Sequence, residues 1–224
     1  MIFVKITILT LFPTFFHPVF DSSILGRARQ KKLINLQIID IRNFATDPHK
    51  SVDDKPYGGG AGMLMKVDVL HKAILAVSLK NKNKSIKEKV VLLDPKGQQF
   101  SQPLAQKYSL LDHLILVCGH YEGFDERIKN FIDESVSIGR YILTGGEIPA
   151  MVVCDAVCRL VDGVLNKDSL LNESFSYKNS LEAPQYTRPP VYNKYKVPSV
   201  LMSGNHLEIT SWRKSHSKKY AKKP

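Results

Sequence analysis

The sequence is poor in cysteine, with three in 224 residues: Cys118, Cys154 and Cys158. An odd number of thiols cannot pair completely, and all three lie in apolar stretches. This pattern excludes a complete disulfide framework and predicts a reducing compartment with small buried side chains. Cys154 and Cys158 stand one helical turn apart, but no His/Cys pair with zinc-like spacing accompanies them, so the sequence favours core packing over a metal site.

The sequence also lacks an apolar run long enough to span a bilayer. Its first stretch, Met1–Phe16, is apolar but contains Lys5 and Pro13 and has no small-residue cleavage site, which predicts a first strand rather than a signal peptide. Internal repeats, a dinucleotide-binding fingerprint and a phosphate-loop motif are absent as well. Because a signal peptide and a membrane span are not predicted, we expect a cytosolic protein. Its length and 43% hydrophobic residues suit one large domain, or one main and one small domain.

Acidic residues are few relative to basic ones: 21 Asp and Glu against 32 Lys and Arg, for a formal net charge of +11. The imbalance is concentrated in Tyr186–Pro224, where Glu208 is the single acid. The basic residues of this segment are Arg188, Lys194, Lys196, Arg213, Lys214, Lys218, Lys219, Lys222 and Lys223, and its interleaved aromatic residues are Tyr192, Tyr195, Trp212 and Tyr220. Such a segment suits a phosphate backbone and stackable bases, with a solvated basic tail as the alternative.

Short apolar segments alternate with segments of helical periodicity along most of the chain. The predicted strands are Ile2–Leu11, Leu33–Ile41, Val90–Leu93, Leu114–Cys118 and Val136–Leu143. The predicted helices are Pro13–Lys32 with a break at Gly26, Val67–Lys80, Gln102–Leu110, Phe124–Phe131 and Ala150–Leu160. Apolar strands that alternate with helices predict an α/β fold with a parallel sheet covered by helices on both faces.

Three loops follow the later strands, and ligands of parallel sheets gather at the carboxyl ends of strands. The loops are Leu92–Gly97, Gly119–Gly123 and Ile138–Gly146. A lone Gly145-Gly146 pair before a helix is most often an ordinary joint. Here two similar loops accompany it, so we predict a ligand site where the three converge.

Two further stretches lack apolar periodicity. Asn43–Gly62 is a long loop that mixes His49, two aspartates and a glycine cluster, which disorder alone explains poorly. Asp162–Pro184 is polar and predicts a linker or mobile loop, and Gly204–Tyr220 predicts a basic helix in a small second domain.

Five motifs stand in order along the chain: Leu11-Phe12-Pro13, Val52–Met63 (VDDKPYGGGAGM), Cys118–Gly123 (CGHYEG), Ser137–Glu147 (SIGRYILTGGE) and Tyr186–Pro189 (YTRP). Together they closely resemble the bacterial tRNA (guanine-37-N1)-methyltransferase (TrmD) family of the SPOUT class. Each motif alone is weakly specific, but five in register are highly specific.

The resemblance implies a SPOUT fold, in which the C-terminal part of the parallel sheet is tied in a trefoil knot. It implies three regions: a knotted catalytic domain at 1–161, a flexible linker at 162–185 and a short, basic, mostly helical tRNA-binding domain at 186–224. It also implies a homodimer with each active site at the subunit interface, tRNA as partner and no membrane.

The resemblance further implies that S-adenosylmethionine binds in the knot, held largely by backbone groups, with magnesium assisting the transfer. The implied contacts match the three loops and are Leu92, Leu93, Asp94, Pro95, Gly119, Tyr121, Glu122, Ile138, Gly139, Tyr141, Leu143, Gly145, Gly146 and Pro149. No magnesium ligand set can be read from the sequence. His49 and His120 receive no role as bases and are interpreted as local hydrogen-bonding groups.

Methylation of N1 of guanine requires a base that removes its proton and a cation that faces O6, where charge builds up. The resemblance implies Arg159 as the cation. Where the family has an aspartate base, this chain has Glu173, which keeps the acid/base function but reaches one methylene further. Glu173 is therefore the predicted base, Asp168 is the reserve, and a solvated linker acid is the alternative.

The predicted function is transfer of a methyl group from S-adenosylmethionine to N1 of guanosine 37 of tRNA. One alternative is a related SPOUT methyltransferase with another RNA target. The other is a non-catalytic RNA-binding protein.

Overall fold

A computed structural model of the chain describes residues 4–166, 169–170, 173–175 and 180–219. The chain divides into two compact units, Met1–Leu165 and Asn166–Pro224. The strands of the first unit are β1 (Val4–Thr10), β2 (Ile34–Asp40), β3 (Asp53–Asp54), β4 (Leu64–Met65), β5 (Glu88–Gln99), β6 (His113–Cys118) and β7 (Glu134–Ser137). Five of them form one sheet in the order β2-β1-β6-β5-β7, and every neighbouring pair is parallel. The predicted parallel sheet is confirmed.

Helices cover both faces of this sheet, because its strands are apolar on both sides. The α-helices are α1 (His17–Phe20), α2 (Ser23–Gln30), α3 (Val67–Val77), α4 (Gln102–Ser109) and α5 (Glu147–Cys158), with 3-10 helices at Pro13–Phe16, Ile41–Phe44 and Glu126–Phe131. Along β6, Leu114 and Leu116 pack in one core with α1, α2, α4 and α5, whereas Ile115 and Val117 pack in a second core with α3. In the described part of the chain, no helix is both long and apolar enough to cross a membrane.

The second unit contains shorter elements: β8 (Ser180–Leu181), β9 (Val191–Tyr192), β10 (Tyr195–Lys196), α6 (Ser199–Met202), α7 (His206–His216) and β11 (Lys218–Lys219). The predicted basic helix is α7, and it begins after Asn205, whose side chain accepts hydrogen bonds from the N–H groups of Leu207 and Glu208. Tyr220 lies outside the described residues. The division of this part of the chain into a linker and a tRNA-binding domain stays a prediction.

The predicted helical break at Gly26 is wrong. The chain breaks at Asp21 and Ser22, and Gly26 lies buried within α2. A Cβ on Gly26 would lie 2.5 Å from the backbone oxygen of Asp21. This glycine therefore permits a close backbone approach between α1 and α2, and the helix continues through it.

Three predicted elements differ in extent or type from the structure. The strand predicted at Val136–Leu143 ends at Ser137, whose hydroxyl donates to the Gly139 carbonyl and so favours a turn over further pairing. The helix predicted at Phe124–Phe131 is a 3-10 helix that begins after Asp125. The strand predicted at Val90–Leu93 is longer, because pairing with β7 resumes at Gln98 after the intervening residues bulge out.

A chain of buried polar groups crosses the amino edge of the sheet. Glu88 accepts hydrogen bonds from the Ser78 hydroxyl at 2.5 Å and the Leu79 N–H at 2.7 Å. One nitrogen of His113, Nδ1, lies 2.7 Å from Glu88 Oε2, and the other lies 2.8 Å from the Thr7 hydroxyl. Burial alone would raise the pKa of Glu88, but these hydrogen bonds outweigh it and lower the pKa. Burial lowers the pKa of His113, and Glu88 opposes that shift only in part.

This chain of groups makes the stability of the first unit dependent on pH. The pKa of His113 is lower in the folded state than in the unfolded chain, so the unfolded chain binds the extra proton as the pH falls below about 6.5. We expect the free energy of unfolding to fall between pH 7 and pH 5 by up to about 1.4 kcal/mol per pH unit from this residue. His113→Gln should flatten that slope in urea unfolding curves, because glutamine does not titrate.

The matched control is His49→Gln, which removes an exposed histidine from the same unit and measures how far the loss of any one histidine changes the slope. Equal slopes for wild type and His113→Gln would contradict the assignment.

Candidate active site

The carboxyl ends of β5, β6 and β7 lie side by side at one edge of the sheet. In the sheet register Leu93 pairs with both Cys118 and Val136, so the segments after these strands leave from neighbouring points. Between the three segments lies a cavity of about 700 Å³, a volume typical of small-molecule sites. The predicted convergence of the three loops is therefore present in the structure.

The cavity is lined by all fourteen residues that the resemblance implies as cofactor contacts. Their contact with a cofactor stays a prediction. Further lining residues, which lie outside the three predicted loops, include Leu64, Phe124, Glu126 and Lys129. Most of these precede or belong to the 3-10 helix Glu126–Phe131, which begins three residues after the predicted loop Gly119–Gly123 ends.

Two glycine backbones make the central contact of the site. The N–H of Gly146 donates a 2.8 Å hydrogen bond to the carbonyl of Gly119. A Cβ on Gly146 would lie 2.6 Å from both the Cα of Cys118 and the amide nitrogen of Gly119. Because those atoms are backbone, they cannot move aside as a side chain could. Only glycine lets the segment after β7 pack this closely on the segment after β6.

The buried carboxylate of Glu147 ties the start of α5 to β1. The hydroxyl of Thr10 donates a 2.8 Å hydrogen bond to Glu147 Oε1, and the Phe12 N–H donates to the Thr10 oxygen at 3.0 Å. An acid in the first turn of a helix is also favoured by the helix dipole. Glu147 is thus an anchor of the site that the sequence did not predict, although it directly follows the glycine pair.

The glycine-rich loop is held against the segment after β6. The Glu122 N–H donates to the Met63 carbonyl at 3.1 Å, and the Met65 N–H donates to the Gly123 carbonyl at 2.9 Å. A Cβ on Gly62 would collide with the side chain of Glu122. Gly62 also has a φ of +79°, which glycine adopts without strain. This loop therefore borders the cavity through Glu122.

Asp53 and Asp54, the two aspartates of the long loop, have different surroundings. Burial and then the neighbouring carboxylate of Asp53 raise the pKa of the Tyr121 hydroxyl, and Arg42 opposes the shift. Asp54 instead accepts a hydrogen bond from the Lys55 N–H at 2.7 Å. Asp53 therefore belongs to the surroundings of the cavity-lining Tyr121, whereas Asp54 shapes its own turn.

The three cysteines are free and buried, as predicted. Burial, followed by the charge of Glu147, raises the pKa of the Cys118 thiol. Burial raises the pKa of Cys158 to about 12. Protonated thiols are poor nucleophiles and poor metal ligands, so these residues serve the core.

The predicted catalytic pair is distributed over the two units. Arg159 ends α5, is half-buried, and donates its N–H to the Asp155 carbonyl. Glu173 belongs to the second unit and is half-buried. The reserve residue Asp168 lies outside the described residues. Over the described ranges, no group of three or more His, Cys, Asp or Glu side chains could hold a metal ion.

Comparison with known proteins identifies the relatives of this chain. A family model described as tRNA (Guanine-1)-methyltransferase TrmD matches residues 4–224. A protein of Carboxydothermus hydrogenoformans is 53% identical over 95% of this chain and 82% of its own length. Proteins of Malacoplasma penetrans and Endomicrobium trichonymphae are 49% and 46% identical, over 94% and 97% of this chain and 90% and 96% of their own lengths. All three are named tRNA (guanine-N(1)-)-methyltransferase.

The contact between Gly119 and Gly146 should contribute to the stability of the first unit. Gly146→Ala should lower the free energy of unfolding by about 2 kcal/mol or more, because its Cβ meets immovable backbone. Gly139→Ala is the matched control in the same loop. The three atoms nearest to its Cβ would all belong to the ring of Tyr141, an exposed side chain (54%) that can move aside more easily than backbone. Thermal and urea unfolding measure the stability of both variants. An equal loss of unfolding free energy in the two would contradict the role given to Gly146.

Proposed function

The chain belongs to the tRNA (Guanine-1)-methyltransferase TrmD family, and we propose that it transfers the methyl group of S-adenosylmethionine to N1 of guanosine 37 of tRNA. The observation that carries this proposal is the cavity at the carboxyl ends of β5, β6 and β7, which combines all fourteen implied cofactor contacts. The proposed reaction on tRNA fits a cytoplasmic enzyme.

The cavity fits S-adenosylmethionine in size and in the kind of groups it offers. Its volume of about 700 Å³ lies within the range for ligands of this size. The glycines at 119, 145 and 146 have no side chain that keeps a ligand away from the backbone, although the Gly146 N–H and the Gly119 carbonyl already bond to each other. Close approach to backbone polar groups suits the hydrogen-bonding edge of an adenine and the hydroxyls of a ribose. Leu92, Ile138 and Leu143 add apolar lining for the flat faces of the base. When bound, S-adenosylmethionine supplies the electrophilic methyl group.

The chain's own residues then have to prepare the guanine. N1 carries a proton at neutral pH and is a poor nucleophile until a base removes it, and we assign that step to the carboxylate of Glu173. As the proton leaves, negative charge spreads to O6 of the guanine. Arg159, at the end of α5, is assigned to face that oxygen and stabilise the charge. Among the described residues, no group of three or more His, Cys, Asp or Glu side chains could hold a magnesium ion.

We also propose that the segments around the cavity form the trefoil knot of the SPOUT class. Two close backbone approaches support this. Gly146 packs on Gly119, as described above, and a Cβ on Gly97 would lie 2.5 Å from the carbonyl carbon of Ser135. Segments that pack this closely suit a threaded arrangement, although general rules of chain topology disfavour knots.

A homodimer is proposed from an exposed apolar patch on the first unit. We call the patch the apolar face, and it consists of Phe12, Phe15, Val19, Ile148 and Val152, which are 39–52% exposed. The 3-10 helix that carries Phe15 packs against both α1, which carries Val19, and α5, which carries Ile148 and Val152. Phe12 also contacts His120 of the cavity lining, with ring centroids 5.0 Å apart. An interface on the apolar face would therefore lie beside the active site.

For tRNA, the second unit offers a basic concave surface. A cavity of about 1220 Å³ in this unit is lined by Arg188, Arg213 and Lys214 among others. Trp212 stacks on His216 with ring centroids 4.1 Å apart on the same helix. Cations beside aromatic rings suit the phosphates and bases of RNA.

Replacement of the proposed base tests the reaction. Glu173→Gln removes proton acceptance while keeping side-chain length, so we expect methyl transfer to fall by about 100-fold or more. The measurement is incorporation of labelled methyl from S-adenosylmethionine into a tRNA transcript with guanosine at position 37, with an adenosine-37 transcript as the substrate control.

Activity on guanosine alone, lost in Glu173→Gln, would support both substrate and base. Full activity of Glu173→Gln would move the assignment to Asp168, tested as Asp168→Asn. Salt-sensitive tRNA binding without any methyl transfer would instead favour a non-catalytic RNA-binding protein.

The apolar face makes a separate prediction. Phe15→Asp should weaken dimerisation by about 100-fold or more, because it places a charge where an apolar contact is expected. Leu110→Asp is the control, since Leu110 is 72% exposed outside the apolar face. Light scattering after size-exclusion chromatography measures the mass of each. A monomeric wild type, or a Phe15→Asp variant that remains dimeric, would exclude this interface.

A further inference from the structure

One buried polar atom beside the cavity has no role in the reaction described above. Nδ1 of His120 is buried and makes no hydrogen bond to any of the described residues. Buried ring nitrogens in folded proteins are normally hydrogen-bonded, so an orphan next to a ligand site requires an explanation. The ring itself is well fixed, because it meets the rings of Phe12 and Tyr121 edge-on at 5.0 and 4.9 Å.

The missing side chain of Gly145 leaves a small polar space beside this atom. A Cβ on Gly145 would lie 3.1 Å from His120 Nδ1 and 3.3 Å from the Gly119 carbonyl oxygen, and it would collide with Oε2 of Glu147. Three polar atoms from two loops and the start of α5 therefore surround one point. His120 Nδ1 and Glu147 Oε2 are close enough for one bridging water, or for a direct hydrogen bond after a small side-chain shift.

Glu147 Oε2 is the acceptor nearest to this point. Glu147 is a carboxylate with 6% exposure, and its Oε1 is already occupied by the Thr10 hydroxyl. No ion pair joins Glu147 to a cation in the part of the chain that is described. An ionised carboxylate accepts hydrogen bonds only, so the group that faces Oε2 must donate.

We propose that Glu147 fixes His120 in the tautomer with the proton on Nδ1, so that Nε2 accepts a hydrogen bond from a donor group of the bound cofactor. In a neutral imidazole, a proton on one nitrogen leaves the other as acceptor. His120 lines the cavity, so its ring borders the space that a ligand would occupy. The groups that Nε2 suits are the ribose hydroxyls and the amino groups of S-adenosylmethionine. His120 is then a cofactor-binding residue and Glu147 its positioning residue, in the way that a carboxylate orients a histidine in metal sites. The inference rests on the proposed cofactor.

The first arm of the test reads the tautomer directly in the cofactor-free protein. Nitrogen NMR of protein labelled with ¹⁵N-histidine distinguishes the two tautomers, and His120→Asn identifies the resonance. We expect the Nδ1–H tautomer in wild type. In Glu147→Gln the side-chain amide can donate to Nδ1 while its oxygen still accepts from Thr10, so we expect a switch to the Nε2–H tautomer. An Nε2–H tautomer in wild type would overturn the pairing.

The second arm measures binding of S-adenosylhomocysteine by calorimetry. It uses two variants, each of which replaces one of the two ring nitrogens of His120. In His120→Asn the amide nitrogen can occupy the place of Nδ1 and donate to Glu147, but nothing replaces Nε2. We expect about tenfold weaker binding with a melting temperature within about 2 °C of wild type. In His120→Gln the longer amide can reach the place of Nε2, so binding should be closer to wild type and the melting temperature lower.

The two arms keep this inference separate from the proposed function. Equal affinity of wild type and His120→Asn, with both folded, would exclude contact between His120 and the cofactor. Failure of wild type to bind S-adenosylhomocysteine would overturn the cofactor assignment itself and the ligand role of His120 with it. The NMR measurement of the tautomer would still test the pairing of Glu147 with His120.

Discussion

The contact between the backbones of Gly119 and Gly146 is the constraint on which the site depends. It brings the segment after β7 onto the segment after β6, and the 2.8 Å hydrogen bond between the two glycines fixes their spacing. Because α5 starts at the next residue, the same contact sets where that helix begins and therefore where Arg159 stands at its end. A side chain at either glycine would meet atoms that have little room to move. The cavity, the helix and the proposed catalytic cation are thus positioned by one close approach.

Buried acids at the two edges of the sheet have different consequences. At the amino edge, Glu88 is surrounded by the donors Ser78, Leu79 N–H and His113, so the buried polar groups there satisfy one another. At the carboxyl edge, Glu147 is bound on one oxygen by Thr10 while the neighbouring His120 Nδ1 has no described partner. A fully satisfied network serves stability, and an incompletely satisfied one beside a cavity is suited to respond to a ligand. The buried polar groups at the amino edge therefore satisfy one another, whereas those at the carboxyl edge can still bond to a ligand.

The sequence predicts the framework well because the framework follows from local pattern. Continuous apolar runs identified the buried parallel strands, and glycines and turn residues identified the three loops at their ends. The errors occur where tertiary contacts override local pattern. The sequence predicts a helix break at Gly26, although this glycine serves a close approach to Asp21. It also predicts that the strand continues through the apolar Tyr141 and Ile142, although the Ser137 hydroxyl ends it. The anchoring role of Glu147 depends on Thr10, which is distant in sequence, so no local signal could reveal it. The assignment of Glu173 rests on the resemblance, because its proposed role is to accept a proton from the substrate and no pattern in the chain itself indicates that role.

The central claim is that the cavity between the segments after β5, β6 and β7 holds the methyl donor. A crystal structure of the protein with S-adenosylhomocysteine tests it most directly. The account predicts one ligand within this cavity, in contact with backbone groups of residues 119, 145 and 146 and with His120. Ligand density elsewhere on the chain, with this cavity empty, would contradict the account.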